Sequence, residues 1–239
     1  MALPSPRTDE QIVQLWSRIL NPESWRYARK RFGSLLTEFN PRYPQAGFIG
    51  KRYFQVNCRI LLMGINPGHG RGYEARDKLL FESSLRLARH PSAENLEALM
   101  SVYREQMPAW GIFSRHGVLS RLEVSLDSIA YMNVLHVNTK VDAFDRRLDP
   151  VYRYVIDKFT RRQIHLLQPH AILHLGKHGW RMLSEFWPEL DRPDELQTNV
   201  IWHPTSQQAR SAPVEFEAQL EDARRFLTRR KRQLAASRS

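Results

Sequence analysis

The stretch Arg59-Ile60-Leu61-Leu62-Met63-Gly64-Ile65-Asn66-Pro67-Gly68 decides the fold. Ile60 to Met63 form an unbroken apolar run, as expected of a strand covered on both faces. Gly64, Pro67 and Gly68 then force the chain to turn, and Asn66 sits at the mouth of that turn. Open α/β sheets hold their ligands at the carboxyl ends of their strands, so Asn66 stands where a ligand-facing side chain is expected. The bland alternative is a strand-ending turn with Asn in a tolerated left-handed conformation.

A second feature far downstream repeats the pattern. Asn199-Val200-Ile201-Trp202 reads as a short strand that delivers His203-Pro204-Thr205-Ser206-Gln207-Gln208. Two more strands lie between: Tyr131 to Asn138, closing on another Asn, and Ala171 to Gly176, which follows the helix-stop signal Gln168-Pro169. The intervals carry helical periodicity. Val151, Tyr154, Val155 and Phe159 recur at i, i+3, i+4 and i+8, and Leu96, Leu99, Met100 and Tyr103 follow a Ser92 cap. Alternating strand and helix predicts an α/β fold: three layers, α/β/α, around a central, mainly parallel four-stranded sheet. Such a sheet brings the strand ends at Asn66, Asn138, Gly176 and His203 to one edge.

Thr8-Asp9-Glu10-Gln11 fits a capping box leading a helix that Asn21-Pro22 ends, and a second helix is expected from Glu23 to Phe39. Residues 1–239 therefore read as one domain, with a helical N-terminal segment over 8–40 and a basic C-terminal tail over 224–239. Phe216, Leu220, Ala223 and Leu227 mark an amphipathic helix before that tail.

The net charge is +11, but 224–239 holds seven Lys/Arg and no acid, leaving +4 on the other residues. The tail reads either as a solvated end or as a general affinity for nucleic acid. Arg26, Arg29, Lys30 and Arg31 form a second basic cluster, suited to salt-sensitive phosphate contacts. The single cysteine, Cys58, excludes a disulfide framework and a four-cysteine iron–sulfur cluster. There is no zinc-finger spacing and no His-Glu-x-x-His, so no metal or other cofactor is expected. No apolar run is long enough for a membrane span and no secretory pattern opens the chain, which points to a cytoplasmic protein.

Taken in order, these motifs resemble the uracil-DNA glycosylase superfamily, nearest to its mismatch-specific and single-strand-selective branches. Gly64-Ile65-Asn66-Pro67-Gly68 resembles the water-positioning motif of those branches, and His203-Pro204-Thr205-Ser206 the His-Pro-Ser leaving-group motif, with Thr where Ser is usual. Asn138 is similar to the Asn that reads the pyrimidine edge, and Leu173-His174-Leu175-Gly176-Lys177-His178 to the third-strand segment. The match runs from about Arg59 to Arg210.

The resemblance implies Asn66 and His203 as catalytic residues. It places Ile65, Gly68 and Asn138 around the base. A bulky aromatic stands at the Gly68 position in the stricter uracil-selective branches, so Gly68 implies a wider pocket. The aromatic that stacks on the base falls near Leu79, leaving Tyr73 and Phe81 as candidates, Phe81 alternatively as core. Lys177, Thr205, Ser206, Gln207, Gln208 and Arg210 are expected against DNA. No lysine matches a Schiff-base position.

The expected activity is therefore that of a monofunctional, monomeric DNA glycosylase, a hydrolase of base excision acting on single- or double-stranded DNA. The alternatives are excision of a bulky modified pyrimidine, as in defence against phage, and a non-catalytic DNA-binding member of the fold. A nucleotide-binding α/β protein ranks last, because Pro67 to Gly72 lacks both the spacing and the lysine of a phosphate loop.

Overall fold

The computed structural model describes residues 6–38, 43–67, 74–114, 117–190, 196–204 and 206–237. The strands are β1 (Phe48–Ile49), β2 (Ile60–Gly64), β3 (Ile129–Asn133), β4 (Ala171–Leu175) and β5 (Gln197–Ile201). The helices are α1 (Pro6–Leu20), α2 (Arg26–Phe32), α3 (Glu74–Arg89), α4 (Ala93–Gln106), α5 (Gly111–Ser114), α6 (Val118–Arg121), α7 (Asp149–Val155), α8 (Arg161–Leu167), α9 (Lys177–Phe186), α10 (Gln207–Ser211) and α11 (Pro213–Ala236).

The strands form one sheet in the order β1-β3-β2-β4-β5. β4 pairs in parallel with β2 on one side and β5 on the other, which makes this a mixed α/β fold with a mainly parallel sheet. Five strands replace the expected four. The extra one, β1, is two residues long, too short to leave a periodic signal in the Pro- and Gly-rich connection that holds it. Just past it Gly50 and Arg52 donate to the carbonyls of Ile129 and Asp127, partners running in the opposite sense. A side chain at Gly50 would put its Cβ 2.4 Å from the Asp127 carbonyl, so only glycine permits this approach.

Two compact units share the chain. The first comprises residues 1–48, 65–106 and 132–167, the second 49–64, 107–131 and 168–239.

In the first unit α1 packs on α3, α4 and α8. Its core is aromatic: Trp25 lies 4.9 Å from Phe159 and donates from Nε1 to the Ile19 carbonyl, while Trp16 donates to the Gly47 carbonyl. Ser92 caps α4 as expected, accepting from Asn95 N–H. Between α7 and α8 the helix makes one wider π-turn, Ile156–Thr160, and the Thr160 hydroxyl donates to the Val134 carbonyl. Two expectations for the N-terminal segment change. Thr8 lies inside α1, which starts at Pro6, and residues 33–38 are not helical. α2 stops at Phe32, and the chain turns so that Leu36 bridges to Thr139, satisfying its backbone there rather than within a helix.

In the second unit α9 and α11 pack on β4 and β5. The segment from 224 onward is no trailing tail up to Ala236: it continues α11, with Phe226, Leu227 and even Arg230 buried. Arg230 donates from Nε to the His170 carbonyl, and Arg224 and Arg225 pair with Glu221 and Asp222. Part of the C-terminal charge is thereby engaged within α11 and its unit, while Arg229, Lys231 and Arg232 are exposed. Cys58 is buried, and burial pushes its thiol above the ordinary range.

Among the described residues two histidines are fully buried. Burial holds His174, on β4, down to about 3, and among the described residues no hydrogen-bond partner reaches either of its ring nitrogens. His136, in the first unit, is held down to about 4 by burial, although its Nδ1 contact with the Gln45 carbonyl acts in the opposite direction. An unfolded chain protonates both near 6.5, so below that pH the unfolded state binds more protons and stability falls. Each can contribute a slope of up to about 1.4 kcal/mol per pH unit. The melting temperature is expected to drop steadily between about pH 6.5 and pH 4, and His174→Leu to flatten that decline. Identical acid limbs for the two proteins would contradict the assignment of His174.

Candidate functional site

The first unit takes up the chain at Ile65, after β2 has ended at Gly64, and Asn66 stands two residues beyond that strand, half-buried. Its amide is held in a defined orientation. Nδ2 donates to the Thr139 hydroxyl at 3.4 Å, and that hydroxyl donates onward to the Val141 carbonyl at 2.8 Å. The first bond turns Nδ2 toward Thr139 and leaves Oδ1, the acceptor of the side chain, on the other side of the amide. The turn itself is fixed by Leu135 N–H, which donates to the Ile65 carbonyl at 2.8 Å.

The segment after β3 is buried yet is not a strand. β3 ends at Asn133, and Val134 to Val137 bend away with every side chain buried. The strand-closing amide is therefore Asn133, 4% exposed, and not Asn138, which lies five residues further on. This corrects the sequence reading. Tyr131 to Asn138 is apolar enough throughout to pass for strand, but the backbone beyond Asn133 bonds outside the ladder: Leu135 N–H to Ile65, and the His136 carbonyl from Gln45 N–H. Asn138 is itself 4% exposed. Its backbone carbonyl accepts from both the N–H and the hydroxyl of Thr37, while its buried Oδ1 meets no partner among the described residues. An unsatisfied buried amide oxygen is costly, by about 1–3 kcal/mol, so Asn138 also carries an acceptor awaiting a donor.

Phe81, on α3, packs edge-on against Tyr43 with ring centroids 5.0 Å apart. That contact accounts for it as packing. Leu79 is 52% exposed. Gly68, Tyr73 and Thr205 lie outside the described residues.

In the second unit β2, β4 and β5 run parallel and end at one edge, at Gly64, Leu175 and Ile201. Gly176 donates to the Ile201 carbonyl and has φ of 111°, a conformation natural to glycine alone. Lys177 follows it, exposed at the start of α9. Two residues past β5, half-buried His203 opens a tight turn in which its carbonyl accepts from Ser206 N–H. Ser206 then caps α10, its hydroxyl accepting from Ala209 N–H at 3.1 Å. Gln207, Gln208 and Arg210 are exposed on that short helix. The backbone entering the turn is anchored by Gln219 Oε1, which accepts from Trp202 N–H.

The structure thus groups Asn66 with Thr139 and its neighbour Asn138 in one unit, and Lys177, His203, Ser206, Gln207, Gln208 and Arg210 in the other. Sequence reasoning missed Thr139 and Asn133. Only the unsuspected bend after Asn133 reveals either. Among the described residues no group of three His, Cys, Asp or Glu is placed to hold a metal ion, and no helix is long and apolar enough to cross a membrane. A cavity of about 1010 Å³ lies between α1, α3 and α8 and is lined by neither Asn66 nor Asn138.

No protein-family model matches this chain, and no curated protein is similar to it.

The cap on α10 gives a direct check of the His203 turn. Ser206→Ala is expected to remove about 1 kcal/mol from the helix start and to speed amide exchange at Ala209 about fivefold. Ser206→Asp keeps an acceptor and should restore protection. Unchanged exchange in Ser206→Ala would show that the hydroxyl does not cap.

Proposed function

We propose that the chain is a monofunctional DNA glycosylase that hydrolyses the N-glycosidic bond of uracil, or of a related modified pyrimidine, extruded from DNA. The observation that carries this reading is the held amide of Asn66 two residues past a parallel strand. The resemblance of the Asn66 and His203 motifs to the uracil-DNA glycosylase superfamily points the same way. Support also comes from the second unit, where the ends of β2 and β5 stand one strand apart, about 10 Å across the edge.

The chemistry follows from what an amide and an imidazole can do. Extruding a nucleotide costs a few kcal/mol and exposes the bond between the base nitrogen and the sugar carbon. As that bond breaks, its electron pair stays with the base, whose carbonyl oxygen gains negative charge. A neutral imidazole donating from His203 stabilises this charge most strongly in the transition state. The sugar becomes cationic and needs only a placed water. Asn66 cannot take a proton near neutrality, but Oδ1 can accept a hydrogen bond from the water and aim its oxygen at the sugar. Water addition and loss of a proton to solvent leave an abasic site and the free base.

Reading of the base falls to a buried amide, which offers both a donor and an acceptor to a pyrimidine edge. Asn133 is the amide at the strand end and Asn138 the one with an unmet acceptor. Thr139 is a positioning residue, acting through Asn66.

Single- and double-stranded oligonucleotides carrying uracil, followed by alkali, should be cut at the uracil, and Asn66→Ala and His203→Ala should each lower the excision rate by about a hundredfold or more. Thr139→Val should lower kcat with little change in KM, while Thr139→Ser restores it. Of Asn133→Ala and Asn138→Ala, the one whose loss relaxes discrimination between uracil and cytosine identifies the reader. A parallel panel of bulky modified pyrimidines tests the wider pocket implied by Gly68. Release of no base from any of these substrates would sink the proposal.

A further inference from the structure

α2 carries Arg26, Arg29 and Lys30 at i, i+3 and i+4, which puts them on one helical face, and Gly33 follows as its C-cap. That face lines a groove of about 460 Å³, to which Lys140 contributes from the segment after Asn138. Lys140 reaches across to donate from Nζ to the Gly33 carbonyl, while its backbone N–H donates to the Leu35 carbonyl. Two acids, Glu23 and Glu38, also line the groove. Glu23 meets Arg26 at 4.0 Å with both side chains highly exposed, a pairing too solvated to cancel the field. Four cations against two anions leave the groove positive.

An aromatic ring, outside the groove's own lining, follows Arg26 on the same helix. Tyr27 is 53% exposed, unusual for so large an apolar surface, and it is held rigidly. Its ring stacks on Tyr154 at 5.5 Å, and its hydroxyl accepts from Arg31 at 2.8 Å. Tyr154 is braced in turn by Lys158, whose ammonium donates to the Tyr154 hydroxyl and to the Ser24 carbonyl. A fixed, half-open ring on the helix that lines a cationic groove is the combination that binds single-stranded nucleic acid: cations follow the phosphates and the ring stacks a base. A duplex keeps the faces of its bases covered and has no use for the ring.

We infer that this groove binds single-stranded DNA, with Arg26, Arg29, Lys30 and Lys140 on the phosphodiester backbone and Tyr27 under a base. The proposed function fixes which part of the strand lies there. Lys140 is the residue after Thr139, whose hydroxyl holds Asn66, so the groove takes the nucleotides flanking the one being extruded.

The test is fluorescence anisotropy with a labelled oligothymidine of about 20 nucleotides, long enough to span a strand-binding site. At about 50 mM salt, Arg29→Glu/Lys30→Glu should weaken binding at least tenfold and lower the dependence of log affinity on log salt by about 1.4, roughly 0.7 for each phosphate no longer neutralised. Tyr27→Ala should weaken binding about fivefold or more with the salt slope unchanged. If the charge reversal fails to fold, Arg29→Gln/Lys30→Gln, with an unaltered melting temperature, reads the same loss. Unchanged affinity in folded variants overturns the inference, as does tighter binding of a duplex or an RNA of the same length. The probe contains no uracil, so the two claims fail separately. Binding without uracil release anywhere removes only the glycosylase reading, and uracil release with binding unmoved by the variants removes only this one.

Discussion

A buried chain that leaves a sheet must find new partners for every backbone N–H and carbonyl, and that requirement shapes the first unit. Beyond Asn133 the ladder stops but burial does not. The Val134 carbonyl is met by the Thr160 hydroxyl, the His136 carbonyl by Gln45 N–H, and the Asn138 carbonyl by Thr37. Leu135 N–H closes the set by bonding Ile65, one residue before Asn66. An orphaned group in such a place costs about as much as a lost hydrogen bond, so these bonds leave the bend little freedom. The orientation of Asn66 follows from the same frame, because Thr139 is its last residue.

β2, β3 and β4 were legible because each is a buried, largely apolar run, the pattern a doubly covered strand demands, whereas half-buried β5 showed only in its Val200-Ile201 end. Asn66 and His203 were legible for the same reason, as polar residues just outside such runs. The second strand shows where this reasoning stops. Val134, Leu135 and Val137 are as buried and as β-branched or apolar as true strand residues, so composition cannot separate a strand from a buried bend. Only the hydrogen bonds separate them, and those depend on Gln45, Thr37 and Ile65, remote in sequence. β1 was missed because two residues carry no period.

Charge gave a second lesson. The sequence places most of its excess at the C-terminal end, yet α11 uses part of it: Arg224 and Arg225 meet carboxylates, and Arg230 is buried against a carbonyl. The smaller cluster on α2 is less conspicuous in composition and more consequential in space, since a helix turn gathers Arg26, Arg29 and Lys30 and the fold adds Lys140 from more than a hundred residues away. Local concentration of field, rather than total charge, decides where a polyanion settles.

The π-turn at Ile156–Thr160 sets a phase for everything after it. One surplus residue in a helix shifts all later side chains by about 100° around the axis relative to an uninterrupted α-helix. The helix can therefore satisfy two unrelated neighbours: Thr160 reaches the Val134 carbonyl, and Gln163 reaches the Ala46 carbonyl at 2.6 Å. Straightening the turn into regular α-helix with all its residues kept would swing Gln163 off its carbonyl and bring Arg162 into its place, whereas deleting the surplus residue would leave the later faces where they are. The irregularity acts as a rotational gear between two stretches of helix, and it is tolerated because neither stretch could be correctly indexed without it.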